Sequence, residues 1–208
     1  GEARVLSGLA LVVASFFASR FLPAGAALGL AVGLALAAFE AGVGVALTPG
    51  PGMRRRLDTL ALRRPARWWL LFPLALLAGA ALVFLARWAT ELVPSTGRSP
   101  IQIFVSFPSG MLSFAALAVV APLAEEVFFR GFVYGVLEKR DAILAFLGAW
   151  LLFVVAHAPQ TWGQWGALVA IAVTGLGLTG LRALSGSTLV AALAHLVYNG
   201  VLALSAMF

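Results

Sequence analysis

Glu125, Glu126 and Arg130 lie together in APLAEEVFFRGFVY (Ala121–Tyr134), inside a long apolar run. In hydrocarbon a charged side chain costs about 2.5–3.5 kcal/mol on insertion scales, so three close together point to a functional site. An α-helix turns about 100° per residue, which puts positions four apart on one face. Glu126 and Arg130 are so spaced and are expected to form a buried ion pair. Glu125 points about 100° away from Glu126. Its i+4 neighbour is Phe129, so its own helix offers it no cation. A carboxylate left over in this way can serve as a general base.

The other polar residues within apolar stretches are Glu40, His157, His195 and Asn199. His195 and Asn199 are four apart, as are Phe153 and His157, whose ring the Phe could wall. Glu125 with a histidine can polarise a water. A second histidine and an asparagine can donate to an oxyanion. That set suffices for amide hydrolysis without a covalent intermediate. Two histidines and a glutamate (Glu125, His157, His195) can also hold Zn2+ with an open position. The residues by themselves leave both alternatives open.

Other chemistries find less support. The only aspartates, Asp58 and Asp141, fall in loops, which removes an aspartyl mechanism. No HExxH is present. The Ser–Gly pairs at Ser109 and Ser185 lack the GxSG context of a rhomboid-like serine mechanism. With no cysteine, disulfides and thiolate metal sites are excluded. A proton-coupled transporter or channel could use Glu125 and Glu126 as a relay, but would leave His195 and Asn199 without a role. A b-type haem could take His157 and His195 as axial ligands. A non-catalytic scaffold or immunity protein is a further class.

The elements that must position these residues are transmembrane helices. The chain of 208 residues is 62% hydrophobic and 11% charged, with a mean hydropathy of +1.02. A soluble domain has about 45–50% apolar and about 25% charged residues. The expected architecture is an all-α polytopic transmembrane bundle of about seven spans, since about 20 apolar residues cross a bilayer. The spans are read as Val5–Phe21, Ala24–Leu47, Trp68–Arg87, Met111–Leu137, Ala142–Ala158, Ala167–Leu184 and Thr188–Phe208. Residues 1–110 form a region of three spans, and 111–208 a catalytic core of four. Segment Ile101–Phe107 is expected to lie on the membrane surface. Gly175, Gly177 and Gly180 permit close helix packing.

The net charge of +6 comes largely from the connection Thr48–Arg67, with Arg54, Arg55, Arg56, Arg63, Arg64 and Arg67. This is the pattern of the positive-inside rule and not of nucleic-acid binding. It puts the N-terminus and the basic loop in the cytoplasm, with Arg4, Lys139, Arg140 and Arg182 on the same side and Arg20, Arg87 and Arg98 opposite.

EEVFFR (Glu125–Arg130), FVVAH (Phe153–His157) and HLVYN (His195–Asn199) resemble, in order, the EExxxR, FxxxH and HxxxN motifs of the CPBP family, the CAAX proteases and bacteriocin-processing enzymes. The resemblance covers about Met111–Met207, with each motif on its own span. It implies an intramembrane endopeptidase in which Glu125 activates water and His157 holds it. His195 and Asn199 would stabilise the oxyanion, and Glu126 with Arg130 would be a structural or substrate-orienting pair. It implies no cofactor, with Zn2+ as the alternative. The implied partners are membrane lipid and a membrane-associated peptide or protein. The Ala-, Gly- and Arg-rich composition suggests a GC-rich bacterium, where prenylation is not expected. A precursor peptide or a C-terminal anchor is then the expected substrate, cut in the cytoplasmic membrane.

Overall fold

The computed structural model describes residues 2–19, 26–93, 110–159 and 161–205. The expected surface segment 101–107, Arg20 and Arg98 lie outside them. Among the described residues there is no strand. This follows from the solvent: in hydrocarbon every backbone N–H and C=O needs a partner within its own segment, and only a helix provides it for one apolar run.

The elements are α1 (Glu2–Ser19), α2 (Ala26–Leu47), α3 (Met53–Thr59), α4 (Trp68–Glu91), α5 (Gly110–Glu125), a π segment (Glu126–Val133), α6 (Tyr134–Leu137), α7 (Ala142–His157), α8 (Trp165–Ser185) and α9 (Thr188–Ser205). Among the described residues, four helices are long and apolar enough to cross a membrane: α2 over Leu30–Leu47, α4, α8 and α9. The helical path also runs uninterrupted from Gly110 to Leu137. The molecule is an all-α membrane bundle, and within the described residues each apolar span read from the sequence is helical. α1 and α7 are shorter apolar helices.

Local chemistry sets the helix ends. Asp141 is extended and accepts at 2.7 Å from the Leu144 N–H, capping α7. Gly186, at φ +65°, closes α8 in the left-handed conformation. The TPGPG run stops α2, and Gly52 at φ +80° starts α3.

Packing interleaves the two halves of the chain. α2 lies along α5 and the π segment, where Gly44 abuts the backbone of Phe128. α4 lies against α8 and α9. There Gly79 meets the Ala194 carbonyl so closely that a Cβ would clash with it. The main core gathers Phe128, Phe129, Phe132 and Phe153 with Leu60, from the basic connection. Leu60 and Ala61 are inserted rather than solvated. The Thr188 hydroxyl donates to Leu60 O (2.7 Å), the Thr188 N–H to Ala61 O (3.1 Å) and the Ser187 hydroxyl to Arg63 O (2.7 Å). Gly131 and Gly135 leave room for this backbone. Arg182, counted among the cytoplasmic-side cations, is buried within α8 and donates to Glu138 at 3.0 Å.

Candidate active site

The site is built on the π segment. Pro122, inside α5, has no N–H to give to the preceding turn, which loosens the ladder just upstream. From Glu126 the helix widens, and the Tyr134 N–H reaches back to Phe129 O. Such wide turns are rare and often mark functional sites. This one faces α7, α8 and α9 with its charges inward.

Glu126 and Arg130 are both fully buried, and Arg130 Nη1 donates to Glu126 Oε1 at 2.9 Å. The second guanidinium nitrogen, Nη2, donates to Gly175 O on α8 at 3.0 Å. The guanidinium carbon stands 4.3 Å over the Phe153 ring. The cation is thus held by a carboxylate, a carbonyl and an aromatic face, as a desolvated charge requires.

Glu126 Oε1 also accepts from His195 Nδ1 at 2.9 Å. Nothing in the local sequence announces this bond, because its partners are 69 positions apart. It fixes the ring: with Nδ1–H given to Glu126, Nε2 faces the other way, 3.8 Å from Glu125 Oε2. His157 is oriented alike. Its Nδ1–H donates to Phe153 O at 2.8 Å, and its Nε2 stands 3.7 Å from Glu125 Oε1. The Phe153 ring lies 4.4 Å from the His157 ring and 6.3 Å from that of His195. It forms a shared wall.

Glu125, His157 and His195 therefore converge, with side chains 13%, 12% and 5% exposed. Their spans are of unequal depth in the sequence reading. The short turn Glu138–Asp141 nevertheless brings α7 back beside the π segment. Asn199 lies one turn beyond His195 on α9, half-buried, and its side chain makes no hydrogen bond to the described residues. Gly175, read only as a packing residue, also supplies the carbonyl that holds Arg130.

Among the described residues no three His, Cys, Asp or Glu side chains are arranged to hold a metal ion. Glu125, His157 and His195 turn the right atoms toward one another but do not form a ligand cage.

Residues 107–201 match the family model described as type II CAAX prenyl endopeptidase Rce1-like. The match takes in all three motif segments and every site residue above. No curated protein and no solved structure matches the chain.

Proposed function

We propose that the chain, which over residues 107–201 matches the type II CAAX prenyl endopeptidase Rce1-like family model, is an intramembrane endopeptidase that hydrolyses a peptide bond with a water activated by Glu125. The matched family is a protease family, and the fold is that of an integral membrane protein. The observation that carries the mechanism is the convergence of two Nε2 atoms, each fixed by its own Nδ1 bond, on the carboxylate of Glu125.

A water oxygen can be held there within hydrogen-bond distance of Glu125 and His157. Glu125 takes a proton from it as the oxygen adds to the peptide carbonyl carbon. The resulting oxyanion meets His195 and the Asn199 amide. For His195 to donate, Nε2 must carry a proton as well as Nδ1. Glu126, at the far nitrogen, stabilises that doubly protonated ring, as a buried carboxylate does in acyl-transfer triads. The C–N bond then breaks as Glu125 returns its proton to the leaving nitrogen. The products are a carboxylic acid and an amine, and no group on the protein is consumed.

On this reading Glu125 activates the water itself, and a Zn2+ ion held by Glu125, His157 and His195 is the alternative. The substrate is a membrane-associated peptide or protein, either a precursor peptide or a C-terminal anchor. Orientation follows the positive charge. The basic connection meets Lys139 through Thr59 (3.3 Å) at one end of the bundle, which is the cytoplasmic end of a bacterial membrane.

The test is cleavage of a panel of membrane-anchored peptides by protein reconstituted in vesicles. Wild type should cleave with and without a strong chelator, and Glu125→Gln should not cleave. Full activity in Glu125→Gln would remove the proposed base, and loss on chelation would restore the metal alternative.

A further inference from the structure

Arg182 lies in α8, outside the three motif segments, and no step above uses it. It is 3% exposed, and its Nε–H donates to a backbone carbonyl, Arg130 O, at 3.2 Å. That carbonyl stands where the π segment ends. The Tyr134 N–H reaches Phe129 O and Gly131 O, the carbonyls on either side of it. From Tyr134 the bonds are four residues apart again, with the Glu138 N–H on Tyr134 O at 2.8 Å. In that register the Gly135 N–H belongs to Gly131 O. Arg130 O is therefore the carbonyl passed over where the wide turn narrows. Arg130 is fully buried, so the carbonyl needs a donor from the protein, and Arg182 supplies it.

The donor is itself held firmly. The Arg182 guanidinium stacks over the Tyr134 ring at 4.5 Å, and its Nη2 donates to Glu138 at 3.0 Å. Gly175 and Arg182 are seven apart on α8, two turns along one face. Gly175 O accepts from the Arg130 side chain at 3.0 Å, and Arg182 donates to the Arg130 backbone. α8 thus grips Arg130 at both ends.

The wide turn decides where the site residues point. Closing it into α register would turn the helix before it against the helix after it by about 100°, the angle of one residue. Glu125 and Glu126 stand at its start. Such a turn would take Glu126 Oε1 away from His195 Nδ1 and Glu125 away from the two Nε2 atoms.

We propose that Arg182 is a positioning residue of the active centre: its Nε–H takes the carbonyl that the wide turn leaves over and so holds the register of the π segment. It acts on His195 through the backbone of Arg130 and the carboxylate of Glu126, not through its own charge. The effect on rate rests on the proposed protease reading; the effect on His195 does not.

The experiment uses the full chain, labelled with 15N-histidine in detergent micelles, as wild type, Arg182→Met and Arg182→Gln. Met matches the length of Arg as far as Nε and has no donor there. Gln carries an amide N–H at the place of Nε and has no charge. The chain has two histidines, and His157→Ala tells their ring signals apart. Arg182→Met should shift the His195 Nδ1–H signal and leave that of His157, which is tied to its own helix at Phe153 O, in place. Where a substrate is cleaved, kcat should fall about tenfold, the scale of one hydrogen bond from a charged donor, with KM unchanged. Arg182→Gln should return both toward wild type although its pair with Glu138 is gone. An unshifted His195 signal in Arg182→Met overturns the proposal. A Gln variant as displaced as Met also overturns it, because the ion pair and not the Nε–H would then be what matters. If Met does not fold, a folded Gln variant with His195 in its wild-type position sustains the proposal, and a displaced His195 overturns it. The expected pattern of signals in a protein that cleaves no peptide would sustain the grip on the π segment and remove the protease reading instead.

Discussion

Glu125 and Glu126 are consecutive in the chain, yet the two sides of the helix they occupy are built differently. On the Glu126 side, both members of the ion pair are sealed from solvent, and one oxygen accepts from Arg130 and His195 at 2.9 Å each. On the Glu125 side, the partners stand off at 3.7 and 3.8 Å and the carboxylate keeps 13% of its surface. The tight side spends its hydrogen bonds on position. The loose side keeps its lone pairs for a reactant. One residue of register separates scaffold from base.

The largest expected effect falls on the loose side. Glu125→Gln should lower the rate by about 10²–10⁴, the usual worth of a positioned general base, with unfolding midpoint unchanged. His157→Ala should match it in rate. If either variant melted early, Glu125 would belong to the scaffold and the contrast between the two sides would fail.

Glu126→Ala should do the reverse. It strands Arg130 in an apolar interior, and removing one partner of a buried pair costs about 3–5 kcal/mol. A folded, inserted Glu126→Ala of near-normal stability would show that Gly175 O and the Phe153 ring suffice for Arg130. Activity should fall with stability, since His195 loses its orienting acceptor. The Glu126→Gln variant separates the two losses, because it keeps the shape and an acceptor and removes the charge.

Phe153 touches both sides, so it sharpens the comparison. Phe153→Leu removes the ring that lies under Arg130 and beside both histidines. Aromatic and cation contacts of this kind are each worth about 0.5–2 kcal/mol. Stability measured in detergent should drop by about that amount. His157, whose Nδ1 is tied to the backbone of the same residue and not to the ring, should keep its orientation. Equal loss of both histidine signals would mean the ring, and not the carbonyl, holds His157.

These contrasts were unequally legible in the sequence. The apolar runs gave the helices because a membrane leaves few alternatives for such runs. The spacing of Glu126 and Arg130 gave their contact because i and i+4 share a helix face. Three features had no local signal. The Glu126–His195 bond joins residues of different helices. The insertion of Leu60 and Ala61 into the core runs against the charge of the basic loop around them. The π segment depends on hydrogen-bond register, which side-chain type does not encode. Glu40 was visible as a polar residue in a span, and α2, which buries it, carries no Lys or Arg.

The smallest effect is expected at a second buried arginine, whose setting resembles that of Arg130 except that its carboxylate partner is exposed. Arg182 donates through Nε to Arg130 O (3.2 Å), stacks over Tyr134 (4.5 Å) and pairs with Glu138 at 3.0 Å. Here the carboxylate side chain is 46% exposed. Water can replace it, and the guanidinium keeps its carbonyl and its ring. Glu138→Gln should therefore cost no more than about 1 kcal/mol, in the range of exposed pairs, and leave cleavage unchanged. Were it as damaging as Glu126→Ala, solvent access could not be what distinguishes the two arginines. The rigidity of the Glu126 side would then have to be sought in the Arg182–Arg130 backbone link instead.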